Sequence, residues 1–191
     1  VFKPEVQTRK CSACNKSETR NVGKKLAPKA TLNASTVTLK VKQSTSRLKV
    51  TGLAKGDSVK SWKSSNSKIF TVRGKSNGTC KITGKKRGTA KLQITLASGL
   101  KKTVKVRVQT AAVKTSKITV SKNVTVKKGK RVTLKPVVTP FTSRQKVTYT
   151  SSNKKIATVS SKGVVTGKKK GTVKITVKSG SKSVKVTVKV K

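Results

Sequence analysis

Few residues in this sequence have types and spacings that could do chemistry. Histidine, the commonest general base and metal ligand near neutral pH, is missing altogether. The carboxylates are Glu5, Glu18 and Asp57 alone, and none follows from Ser58 to Lys191. Paired-acid catalysis and oxygen-rich calcium sites therefore lack their ligands. Cys11 and Cys14 have the spacing of half a zinc site, but a structural site needs four ligands, and Cys80 is far away in sequence. A local disulfide, two free thiols, or a half-site completed by residues outside this sequence are the alternatives. A structural role, or none, is the favoured reading, and redox catalysis is the least favoured because no βαβ context surrounds the motif. Ser-x-x-Lys occurs, as in Ser46-Arg47-Leu48-Lys49 and Ser65-Asn66-Ser67-Lys68, which evokes a serine nucleophile with a lysine base. A chain so rich in both residues produces such matches by chance, and none lies at a strand-to-helix turn. The expectation is a chain with no catalytic residue and no cofactor.

The charge is far from balanced. Forty-nine Lys and Arg residues face three Asp and Glu, a formal net charge of +46. Low hydrophobicity with high charge often marks disorder, but here the apolar residues alternate. In Val104-Lys105-Val106-Arg107-Val108 and in Val184-Lys185-Val186-Thr187-Val188-Lys189-Val190 the valines fall on one strand face and mostly cations on the other. Outward lysines protect strand edges from pairing, and salt screens them beyond about 8–10 Å. The functional alternative is attraction to a polyanion. Only 8 of the basic residues are arginine, the residue suited to bidentate phosphate and guanine contacts. Aromatics are too few for a base-stacking platform, so no specific nucleic-acid recognition is expected.

The elements that position these residues come in two copies. Trp62-Lys63-Ser64-Ser65-Asn66 through Thr71-Val72 returns as Tyr149-Thr150-Ser151-Ser152-Asn153 through Thr158-Val159, 87 residues on. Thr83-Gly84-Lys85-Lys86-Arg87-Gly88-Thr89 returns as Thr166-Gly167-Lys168-Lys169-Lys170-Gly171-Thr172, 83 residues on. Gly78 and Gly163 lie between, 85 apart, so the four extra residues of the first copy are split around this glycine, as a lengthened hairpin requires. The second copy divides into strands near 118–120, 124–126, 131–138, 147–151, 157–160, 164–166, 171–178 and 183–190, punctuated by Gly129, Pro140, Gly163, Gly167 and Gly180. Asn66 and Asn153 stand at strand ends, where Asn bonds to nearby backbone and tolerates left-handed geometry. Trp62 and Tyr149 are expected to supply the large aromatic of each core.

Ser151-Ser152-Asn153, Ile156-Ala157-Thr158-Val159, Gly163-Val164-Val165-Thr166-Gly167 and Gly171-Thr172 resemble the group 2 bacterial immunoglobulin-like domain, found in intimin- and invasin-type adhesins and other modular surface proteins. Trp62, Ser64-Ser65-Asn66, Thr71-Val72, Thr83-Gly84 and Gly88-Thr89 carry the same likeness in the first copy, which departs from it at Phe70, commonly alanine in the family, and at the hairpin holding Cys80. The leading Lys-Cys-x-x-Cys-Asn-Lys looks like short CxxC repeats that precede such domains. The resemblance implies an all-β chain of two tandem immunoglobulin-like β-sandwich domains, at 26–110 and 113–191, after a CxxC-containing segment at 1–25. It also implies an extracellular or cell-surface setting and a non-catalytic spacer or stalk function aiding adhesion. The Lys-Asn isopeptide crosslinks of some surface domains resemble a reaction assisted by a buried carboxylate, which this chain disfavours. Anionic wall polymers, mucin or host glycans are the partners the charge suggests, and host surface proteins could dock on exposed edges or the hairpin at 77–80. No apolar run approaches the roughly eighteen residues of a membrane span, and the chain reads as a piece of a longer protein.

Overall fold

The computed structural model describes residues 5–14, 16–22 and 27–191. The expected domain start at 26, and Asn15 beside the CxxC, lie outside the described residues. All regular structure among those described is β. The chain divides into two units, Val1–Gln109 and Thr110–Lys191.

Unit 1 begins with an antiparallel hairpin of β1 (Glu5–Lys10) and β2 (Ser17–Val22). Its sandwich follows: β3 (Thr31–Leu32), β4 (Thr36–Lys40), β5 (Ser44–Thr45), β6 (Val50–Thr51), β7 (Val59–Ser64), β8 (Phe70–Gly74), β9 (Cys80–Gly84), β10 (Gly88–Leu96) and β11 (Lys101–Gln109). Unit 2 has β12 (Lys117–Thr119), β13 (Asn123–Val126), β14 (Arg131–Thr133), β15 (Val137–Thr139), β16 (Val147–Ser151), β17 (Ala157–Val159), β18 (Val164–Gly167), β19 (Gly171–Ser179) and β20 (Lys182–Val190).

The two units repeat one topology. A four-stranded sheet of order β4-β11-β10-β7 matches β13-β20-β19-β16, a three-stranded sheet β5-β9-β8 matches β14-β18-β17, and the pair β3-β6 matches β12-β15. In each, the first strand of the large sheet runs parallel to the last strand of the unit. Alternation fixes which side chains turn inward. Leu92, Ile94, Val104 and Val106 are buried in unit 1, and Ile175, Val177, Val186 and Val188 in unit 2, while Lys91, Lys105, Lys174 and Lys185 stay in solvent.

Two expectations need correction. The single strand expected over 131–138 is two strands on different partners: β14 pairs with β18, and β15 with β12. Between them Leu134 drops into the core, 4% exposed, and Pro136 has no N–H to give a ladder. Unit 1 makes the same switch at Leu48, fully buried, with no proline to mark it. The core aromatic of unit 1 is also misplaced. Phe70 is its fully buried ring, whereas Trp62 is half-buried; in unit 2 Tyr149, also half-buried, does pack against the core. Trp62 lies flat over Gly74, where any Cβ would collide with it, and donates Nε1–H to the Lys75 carbonyl at 3.2 Å. Tyr149 covers Gly163 in the same manner, since a Cβ there would stand 2.8 Å from its Cζ.

The split insertion is a longer ladder with an unchanged turn. In unit 2 the hairpin has the pairs Ala157↔Gly167, Thr158↔Thr166 and Val159↔Val165. Unit 1 has the equivalent three and adds Arg73↔Lys81 and Gly74↔Cys80. Lys75 N–H then bonds the Thr79 carbonyl just as Ser160 N–H bonds that of Val164.

One backbone angle stands out. Lys42 has φ 67°, at the turn position where unit 2 has Gly129 at φ 74°. The matching hydrogen bonds, Lys42 N–H to the Gly84 carbonyl and Gly129 N–H to that of Gly167, establish the equivalence. A residue with a Cβ pays about 1–2 kcal/mol for this conformation, and glycine pays nothing comparable.

Candidate functional site

The residues with chemical potential are dispersed. Cys11 and Cys14 flank the turn between β1 and β2, both exposed, with Cys11 N–H bonded to the Lys16 carbonyl at 2.9 Å. The Cys14 side chain, then backbone hydrogen bonds at Ala13 and Cys14, hold the Cys11 thiol below its usual range. No group of three metal-ligating residues forms among the described residues. Cys80 is remote in character from this pair. It is 4% exposed on the added rung of the unit 1 hairpin, its Sγ 3.7 Å from the Leu48 carbonyl, and burial pushes its pKa up to about 11. A thiol so protonated behaves as a small apolar side chain.

Asp57 is half-buried and serves the β10–β11 turn. Its Oδ1 accepts from Ser58 N–H at 2.9 Å and Ser98 N–H at 3.1 Å, and its Oδ2 from the Ser98 hydroxyl at 2.8 Å. Burial raises the carboxyl pKa, and these donors, led by the Ser98 hydroxyl, outweigh that and hold it low. Unit 2 closes the equivalent end without a charge. Thr115 Oγ1 lies 2.8 Å from Ser179 Oγ and 3.0 Å from Ser143 Oγ, while Thr115 N–H donates to Gln145 Oε1 at 2.6 Å. Thr115 and Ser179 are buried, and no described buried side-chain polar atom lacks a hydrogen-bond partner.

The Ser-Ser-Asn blocks are clasps. In unit 2, Ser151 Oγ accepts from Asn153 N–H and donates to the Ala157 carbonyl at 2.7 Å. Ser152 Oγ accepts from Lys174 N–H at 3.1 Å, returning the bond that Ser152 N–H gives to the Lys174 carbonyl, and Asn153 Oδ1 accepts from Lys155 N–H. In unit 1, Ser64, Ser65 and Asn66 accept from Asn66, Lys91 and Lys68 N–H in turn. Each residue thus satisfies a backbone group where a strand turns over to the opposite sheet. Neither Asn has positive φ; that conformation falls to Lys42 instead. Ser65, in one of the Ser-x-x-Lys matches attributed to chance, has its hydroxyl engaged with Lys91 N–H.

The model of the bacterial immunoglobulin-like domain, group 2, matches residues 113–190. Among solved structures the chain is similar to S-layer protein SbsC domains 4 and 5, with 25% identity and TM-score 0.41 over 86% of this chain and 98% of that one. It is also similar to a termite-gut GH10 xylanase containing a bacterial Ig-like domain, with 26% identity and TM-score 0.31 over 36% of this chain and 18% of that one. Drosophila N-cadherin EC1-3 follows at 11% identity and TM-score 0.46, covering 85% and 67%. No curated protein sequence matches. The family match falls inside unit 2, on the strands that Ser151, Ser152 and Asn153 clasp, and the fold it implies, an immunoglobulin-like β-sandwich, is the fold observed.

Proposed function

We propose that the chain is a load-bearing, non-catalytic spacer segment of a modular bacterial surface protein. The observation that carries this reading is the parallel pairing of β4 with β11 and of β13 with β20. A pull on the two ends of a unit drags these partners past one another, so their hydrogen bonds are loaded together in shear. Antiparallel hairpin bonds pulled from their open end would break one at a time. Side chains reinforce the reading: Asp57, Cys80 and the Ser-Ser-Asn residues are all engaged in holding backbone. The family match at 113–190 supports the bacterial surface setting.

Single-molecule stretching of the full chain from its two ends tests the proposal. Two unfolding events are expected, each at a force several-fold above that needed to peel a β-hairpin. Val124→Pro, which interrupts β13, lowers the force of one event by half or more and leaves the other unchanged. Unfolding of both units at hairpin-peeling forces would overturn the reading.

A further inference from the structure

Lysine on the sheet faces has a sufficient structural account, because it guards edges and solvates outward positions. Lysine in the loops at one end of each unit does not. In unit 2 the turn after β13 and the loop after β18 are brought together by backbone bonds: Gly129 N–H to the Gly167 carbonyl at 2.8 Å and Gly167 N–H to the Lys130 carbonyl at 3.1 Å. Lys168 and Lys169 N–H both donate to the Ile156 carbonyl, which adds the Asn153–Lys155 turn. Lys127, Lys130, Lys155 and Lys168 to Lys170 are thereby gathered at one end, all exposed, with no carboxylate anywhere in the unit's sequence. Backbone groups hold these loops, so serine or asparagine would serve the fold equally and would avoid the repulsion.

Unit 1 repeats the arrangement on the same backbone bonds, with Lys40, Lys42, Lys68 and Lys85-Lys86-Arg87, again all exposed. Where unit 2 has Gly129-Lys130, unit 1 has Lys42-Gln43. The cation of this turn is retained at a shifted position, and it occupies a backbone conformation that disfavours it. Strain of this kind at an exposed residue points to a function.

We propose that this end of each unit is a binding surface for a flexible polymer of repeating phosphate or sulfate groups. The lysines are compact point charges on flexible stems, which engage successive oxyanions without demanding a fixed geometry. The scarcity of arginine and of aromatic rings disfavours base readout or stacking.

The test uses the full chain, with long-chain inorganic polyphosphate and heparin as probes and single-stranded oligothymidylate as the nucleic-acid arm, from 50 to 300 mM NaCl. An end variant, Lys85→Gln/Lys86→Gln/Lys169→Gln/Lys170→Gln, is compared with a sheet-face variant that removes equal charge, Lys91→Gln/Lys105→Gln/Lys174→Gln/Lys185→Gln. At 150 mM salt, where the screening length is about 8 Å, the end variant is expected to lose about tenfold or more in affinity and about two to three units of salt slope. The sheet-face variant should stay within about twofold. Lys42→Gly should raise the unfolding midpoint of unit 1 by about 4 °C or more and still weaken binding about threefold. Phosphate and sulfate sources are told apart by which probe binds more tightly. Equal losses in the two quadruple variants, unchanged affinity in Lys42→Gly, failure of both probes to bind at 50 mM salt, or tighter binding of oligothymidylate than of either would each overturn the proposal.

Discussion

Asp57 is a carboxylate in a chain nearly devoid of them, and its role is to accept two hydrogen bonds from Ser98 at the β10–β11 turn and one from its neighbour Ser58. Its pKa is held below the ordinary value, so the folded state binds its proton less tightly than the unfolded chain does. The stabilisation is complete above the unfolded pKa of about 4 and is lost as pH falls through the lower folded value. Unit 2 contains no Asp, Glu, His or Cys, so it has no side chain to titrate in that range. Hydrogen exchange on the full chain, read unit by unit, should show β10 and β11 losing protection below about pH 4 while β19 and β20 hold theirs. Asp57→Asn should flatten the response of unit 1; an unaltered acid response in that variant would assign the effect elsewhere. The charge and the scarcity of Asp57 are plain in the sequence. Its hydroxyl partner Ser98, 41 positions on, is not, because only the pairing of β10 with β7 brings the two together.

The two copies solve one packing problem differently. Phe70 and Ala157 occupy the same place, paired with Gly84 and Gly167, and both are fully buried. Phe70→Ala should cost about 3–5 kcal/mol by leaving a cavity, and Ala157→Phe about 1–3 kcal/mol by overpacking, with urea unfolding as the readout. Small losses from both would mean the two cores adapt freely. Strand identity was legible wherever valine alternates with lysine, as in β11, β19 and β20, since period two leaves one answer. The repeat spacing likewise disclosed the longer β8–β9 hairpin. What stayed hidden was the strand that changes sheets: Leu48 sits in a run of ordinary strand composition, and the exchange of partners there follows from the positions of β3 and β9. Reading Trp62 as the core ring failed because its ring lies over Gly74 while Phe70, one strand on, fills the interior.

At the scale of the whole molecule, a formal charge of +46 opposes compaction. Thermal unfolding midpoints of both units should therefore rise as NaCl goes from about 20 to 500 mM, where the screening length falls to a few ångströms. A sodium chloride series with no rise would show that the cations are already spaced beyond effective repulsion. The parallel pairing of the final strand has a further consequence, for the order in which the sheet can close during synthesis. β20 is an interior strand of its sheet, flanked by β13 and β19, although it is the last segment of the unit to be made. Until those residues emerge, β13 has no partner and the sheet stands open between its first and later strands. Long-range pairing of this kind is slow to nucleate. A partly made unit thus lacks the strand that joins β13 to the rest of its sheet, and the sheet closes only when the last rung is in place.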